Sequence, residues 1–159
     1  MDPNNFLSSF PSSLDTHPEL LSHPGFRDSL YRLIHPTPTP DLLPLIRTLF
    51  RHEVTYRSDD SNDGEYFENL YWAALFLFQI GTLDDVIPMW RAKGINMDTG
   101  SGLSVQFLVG RGVKQTIEFL QQSDAAMAPE IAECLIKCQS AGDFDCLDDW
   151  LTTTIRYYD

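Results

Sequence analysis

At 159 residues the chain has the length of one domain, and its 43% hydrophobic content is that of a globular protein with a packed core. Twenty-three acidic residues against eleven basic ones leave a net charge of −12, divided equally between residues 1–80 and 81–159. Such diffuse acidity repels nucleic acid, whose binding needs Lys and Arg against phosphate, and favours a basic protein partner. Plain solubility is the simplest alternative explanation of the charge.

No apolar run approaches the roughly eighteen residues of a membrane span, so no membrane association is expected. The first residues, MDPNNFLSSFPSSLDTHPELL, lack the basic and continuous apolar stretches of a signal peptide. Three cysteines, an odd number, do not read as a disulfide framework. The expected location is cytoplasmic.

Residues 1–24 are rich in Ser, Pro and Asn and read as a partly ordered lead, with a short helical turn at Pro18–Ser22. The remainder, 25–159, reads as a single helical-repeat domain. Pro24-Gly25 opens a helix through Ile34 with Phe26, Leu30, Leu33 and Ile34 on one face. The run His35-Pro36-Thr37-Pro38-Thr39-Pro40 stops it, because each proline lacks an N–H and restricts its predecessor. Thr39 as N-cap and Pro40 as first helical residue predict a second helix to about Glu53. The polar stretch 57–64 is a loop. Glu65–Ile80 is a third helix, apolar almost all round and therefore buried on more than one side.

Beyond it a period emerges. Gly81, Gly112 and Gly142 are separated by 31 and 30 residues. Leu77, Leu108 and Cys138 precede them by four; Val86, Ile117 and Leu147 follow by five. Helix, left-handed glycine turn, second helix is the unit this spacing describes. Three such hairpins predict an all-α fold of about eight helices in a short α-solenoid, capped by the N-terminal pair.

Gly81-Thr82-Leu83-Asp84-Asp85-Val86 is similar to the start of the second helix of an ankyrin repeat, and Lys93-Gly94-Ile95-Asn96 falls at that family's inter-repeat turn. The Thr-Pro-Leu-His signature is absent, with Gly102-Leu103-Ser104-Val105-Gln106 in its place. Residues 70–122 carry this resemblance, and HEAT-like hairpins fit them nearly as well. Either resemblance implies a binding scaffold. In size, acidity and helical character the chain also resembles the small immunity proteins that bacteria make against their own toxins.

Candidate chemistry is sparse. Cys134 and Cys138 share a helix face, with Cys146 eight residues on, but structural zinc needs four ligands and every histidine precedes residue 53. The cysteines read as buried small apolar residues, and no metal or cofactor is expected. Asp143, Asp145, Asp148 and Asp149 crowd the start of the last helix, where carboxylates complement the helix dipole or meet a cationic partner. They lack the glycine and distal glutamate of a calcium loop. Trp90, Arg91, Lys93, Asn96 and Asp98 are the densest polar and aromatic group. Asn96 and Asp98 read as loop-formers, and Trp90 and Arg91 as a binding hot spot, since those residue types dominate such spots.

The sequence therefore predicts a non-enzymatic protein-binding module of the immunity or antitoxin type, masking a basic partner such as a toxin. The predicted binding residues are Trp90, Arg91, Asp98, Asp143, Asp145, Asp148 and Asp149. A general adaptor that binds a peptide or helix is the alternative, and an enzyme using the Asn96/Asp98 loop is the third reading.

Overall fold

The computed structural model describes residues 1–59, 61, 62 and 64–158; Asp60 and Asp63 of the polar loop, and Asp159, lie outside the described residues. Among the described residues the chain is all-helical. It has ten α-helices, not about eight: α1 Pro3–Ser8, α2 Ser12–Thr16, α3 Pro24–Ile34, α4 Leu43–Arg57, α5 Asn69–Ile80, α6 Val86–Lys93, α7 Met97–Gly102, α8 Val113–Gln122, α9 Ala128–Ala141 and α10 Leu147–Tyr157. Tighter 3₁₀ turns at Pro18–Ser22, Pro40–Leu42, Leu83–Asp85 and Val105–Val109 join some of them. The extra elements come from short segments. The first residues form α1 and α2, and Met97–Gly102 forms α7 where a loop was expected.

The centre is α5, as its composition implies. Every residue from Asn69 to Leu77 is buried, and six of the nine are fully or almost fully removed from solvent. Helix α4 packs most extensively on it, and α3 and the 3₁₀ turn at Val105–Val109 cover further sides. Each fully buried Leu or Phe of this kind contributes about 1.5–3 kcal/mol relative to exposure. Helix α5 begins at Asn69 rather than Glu65, because Gly64 and Tyr66 both have positive φ (83° and 63°) and helix cannot pass through them. Pro40 starts only a 3₁₀ turn, and α4 takes over at Leu43, with Pro44 in the first turn where its missing N–H is harmless.

Helices α3 and α4 are joined by a buried ion pair. Arg27 (1% exposed) and Glu53 (0%) meet through Nε–Oε1 at 2.5 Å and Nη2–Oε2 at 3.0 Å. The remaining capacity is also used: Arg27 Nη1 donates to the Leu21 carbonyl at 2.8 Å, and the Tyr31 hydroxyl donates to Glu53 Oε1 at 3.0 Å. Burial raises the Glu53 carboxyl above its ordinary value, and Arg27 opposes that shift. A second bidentate pair ties α4 to the start of α6: Arg47 binds Asp85 at 2.7 and 2.9 Å. Asp85 also closes a capping box with Thr82.

The three spaced glycines do different jobs. Gly142 is a left-handed cap (φ +86°), with the Asp143 N–H returning to the Cys138 carbonyl at 3.0 Å, and Gly112 also has positive φ (+98°). Gly81 does not: at φ −65°, ψ −177° the chain leaves α5 extended, since the Thr82–Asp85 box restarts the helix directly. The segment before Gly112 is a 3₁₀ turn rather than a helix. The tightest approach is at Gly110, where an added Cβ would lie 2.1 Å from the Phe78 carbonyl oxygen, and Gly81 is nearly as confined, 2.3 Å from the Leu77 carbonyl oxygen. Gly110→Ala is expected to cost about 1–3 kcal/mol as α5 and the 109–112 turn are forced apart. Urea unfolding checks this, and an unchanged midpoint would refute it.

Candidate functional site

Helix α9 ends at Ala141, and the Gly142 cap reverses the chain into 143–146, where Phe144 is buried and Asp143 and Asp145 face solvent. Helix α10 follows with Asp148 and Asp149 in its first turn, both exposed. The four predicted carboxylates therefore share one short exposed stretch around the Gly142 turn. The clamp that fixes them is the Gln106 side-chain amide, which donates to the Asp143 carbonyl at 2.9 Å and joins this loop to the turn at Val105–Val109.

Between that turn and α10 lies a groove of about 660 Å³. Trp150 forms its wall, held edge-on by Phe107 (centroids 5.0 Å apart) and Phe78 (5.1 Å). Tyr157 and Tyr158 continue the aromatic surface along α10, and Asp143 and Asp149 stand among the lining residues. Tyr158 packs against the buried Trp72 at 4.5 Å, and the Tyr157 hydroxyl donates to Glu68 at 2.8 Å, so the far end of α10 is anchored on the α5 side. The Ser104 hydroxyl, also lining the groove, is buried and has no hydrogen-bond partner among the described residues. None of the lining residues is basic.

The chain matches no family model, no curated protein and no solved structure.

The other predicted site residues lie elsewhere. Trp90 is half-buried and Arg91 exposed on α6; with Met127 and Glu130 they line a separate hollow of about 450 Å³. Asn96 is consumed by structure: its side chain accepts from the Thr99 N–H at 3.0 Å, and Thr99 returns the bond to the Asn96 N–H at 3.1 Å. Asp98 has an 81% exposed side chain 3.6 Å from Arg57, and its carbonyl accepts from the Tyr71 hydroxyl. Arg57 itself is 91% covered, lying over Phe67 at 5.8 Å. Lys93 donates to the Gly100 and Leu103 carbonyls and so holds α7 against α6.

Cys138 is pushed up to about 11 by burial first and by hydrogen bonding to Asp143 second, which leaves it a thiol at neutral pH. Cys146 is exposed beside Asp149 in the groove. Among the described residues no group of three or more His, Cys, Asp or Glu is placed to hold a metal ion, and no helix is long and apolar enough to cross a membrane.

The sequence missed the groove because its wall is assembled from Phe78, Phe107 and Trp150, far apart in the chain. One signal was available: Trp150 and Leu147 repeat at helical spacing beside the four carboxylates, so an aromatic face had to adjoin the acidic one.

Proposed function

We propose that this chain is a non-enzymatic protein-binding module of the immunity or antitoxin type, whose acidic surface masks a basic protein partner. The observation that carries this reading is how the cations are used. Arg27 and Arg47 are engaged with buried carboxylates, Arg57 is covered, and Lys93 and Arg111 bind backbone carbonyls. Arg32, Lys114 and Lys137 sit in pairs with acids on their own helices. Arg51, Arg91 and Arg156 remain exposed, Arg156 on α10 itself, so exposed Asp143, Asp145, Asp148 and Asp149 meet few competing positive charges, and a predominantly negative field speeds encounter with a basic partner.

The solenoid of helical hairpins belongs to the same proposal. The extensive packing of α4 on α5 and of α8 on α9 supports it, and a hairpin array presents extended surfaces suited to protein binding. Of the two residues in the enzyme reading, Asn96 serves α7 as its cap, and Asp98 keeps an exposed side chain near Arg57.

The test is affinity capture from native lysate, followed by stopped-flow measurement with the recovered partner. The proposal expects a partner of high isoelectric point whose association slows by roughly tenfold or more between about 0.05 and 0.5 M salt. A rate independent of salt, or capture of acidic and neutral proteins alone, would overturn it.

A further inference from the structure

Resting on the basic-partner reading, we infer that the groove between α10 and the Val105–Val109 turn is where that partner docks, and that it takes an arginine side chain. Two observations converge there. The first is charge: Asp143 and Asp149 are among the lining residues and no Lys or Arg is. The second is surface chemistry. Trp150, Tyr157 and Tyr158 line one side, with Tyr157 70% exposed, and guanidinium, being planar and weakly hydrated, stacks on aromatic rings more readily than ammonium.

The groove is also built before anything binds. Phe78 and Phe107 fix the Trp150 ring from two sides, and the Gln106 bond to the Asp143 carbonyl fixes the acidic loop. A wall held in place this way spares the ligand the cost of ordering it. A guanidinium that stacks on an aromatic ring while pairing with carboxylates is the combination typical of an interface hot spot, with the aromatic and the ionic parts each strengthened by exclusion of water. Trp90 and Arg91, the hot spot expected from sequence, line a different hollow whose own residues include Arg91 and Lys93, so it does not share this selectivity for cations.

The experiment uses the full chain and three probe peptides: hexa-arginine, hexalysine and hexaglutamate. Exposed Cys146 lies in the groove, so its alkylation by a neutral maleimide, followed by peptide mass mapping, reports occupancy at that point. Hexa-arginine is expected to slow Cys146 alkylation several-fold, hexalysine less, and hexaglutamate not at all. Asp143→Asn with Asp149→Asn is expected to weaken hexa-arginine binding by about tenfold, about 1.4 kcal/mol. Asp41→Asn with Asp84→Asn removes the same charge from exposed positions outside the groove and is expected to have much less effect. Thr153→Arg places a cation at an exposed lining position without touching the Trp150 contacts, and it is expected to abolish protection.

Equal weakening by the two Asp pairs, with Cys146 unprotected, would overturn the groove and leave the diffuse acidic surface as the binding element. Hexalysine protecting as well as hexa-arginine would overturn the arginine assignment. Failure of both cationic peptides to bind would overturn the groove and remove the charge basis of the proposed function with it.

Discussion

Arg27→Leu is expected to lower the free energy of unfolding by about 3–5 kcal/mol, the largest effect of any single charge removal in this chain. The leucine fits an apolar site, but it leaves the Glu53 carboxylate at 0% exposure with only Tyr31 and Asn69 to solvate it. The loss is therefore the cost of a buried, uncompensated charge rather than the worth of the pair. Removing both partners, Arg27→Leu with Glu53→Leu, is expected to recover most of it. The pH dependence follows from the direction of the Glu53 shift. Burial raises its folded-state pKa above the unfolded value, so the folded state binds the proton more tightly, and stability from this group is present at low pH and lost as pH rises through the folded pKa. Without Arg27 the raised pKa moves further up. The deficit of Arg27→Leu relative to the parent chain is thus largest near neutrality and shrinks as pH falls below the raised value. Urea titrations across that range check it; a deficit independent of pH would show that lost packing, not the carboxylate, is responsible.

The second large effect is at the other end of the chain. Phe6→Ala is expected to cost about 3–5 kcal/mol. Phe6 is fully buried on α1 and meets Phe26 of α3 edge-on at 5.5 Å, and the Ser13 hydroxyl donates to the Phe6 carbonyl at 2.6 Å. Leu21, also fully buried, lies beside the Arg27–Glu53 pair through its carbonyl. Residues 1–24 therefore help cover the ion pair, and the loss should appear as a shift of the main unfolding transition, not as an early local step. Denaturation followed at two probes, tryptophan fluorescence and far-UV circular dichroism, would reveal a separate early step if α1 were only an appendage.

Periodicity and punctuation placed the regular helices well. Helix α3 spans Pro24–Ile34 as the Pro24-Gly25 start and the proline run dictate, and the apolar stretch ending at Ile80 became the central helix. Asn96 and Asp98 read as loop-formers, but Asn96 is the cap of α7 and Asp98 lies in that helix's first turn. Pairings over long range were not legible in the same way. Glu53 follows Ile46, Leu49 and Phe50 on one face of α4, and Arg27 precedes Leu30, Tyr31 and Ile34 on one face of α3. A charge of each sign on an apolar stripe was the available clue to a buried pair, yet neither helix says which partner it meets. The number of helices was underestimated for a related reason. Segments such as Pro3–Ser8 and Met97–Gly102 are too short to be stable helices alone and are held by tertiary contacts and caps. The candidate groove needed Phe78, Phe107 and Trp150 together, a product of folding rather than of any local pattern.

No residue of helix α10 is fully buried, although the helix is amphipathic and eleven residues long. It packs on the core through partly buried Leu147, Trp150, Leu151, Ile155 and Tyr158, and Tyr157 bonds Glu68. An element whose packing residues are all only partly buried opens at a lower free energy than the core around α5, without global unfolding. Amide exchange along α10 therefore runs ahead of exchange along α5. One wall of the proposed groove is this same helix, so occupancy and local opening compete. A partner that fills the groove slows exchange along α10, and whatever loosens α10 weakens the partner's hold by the same free energy.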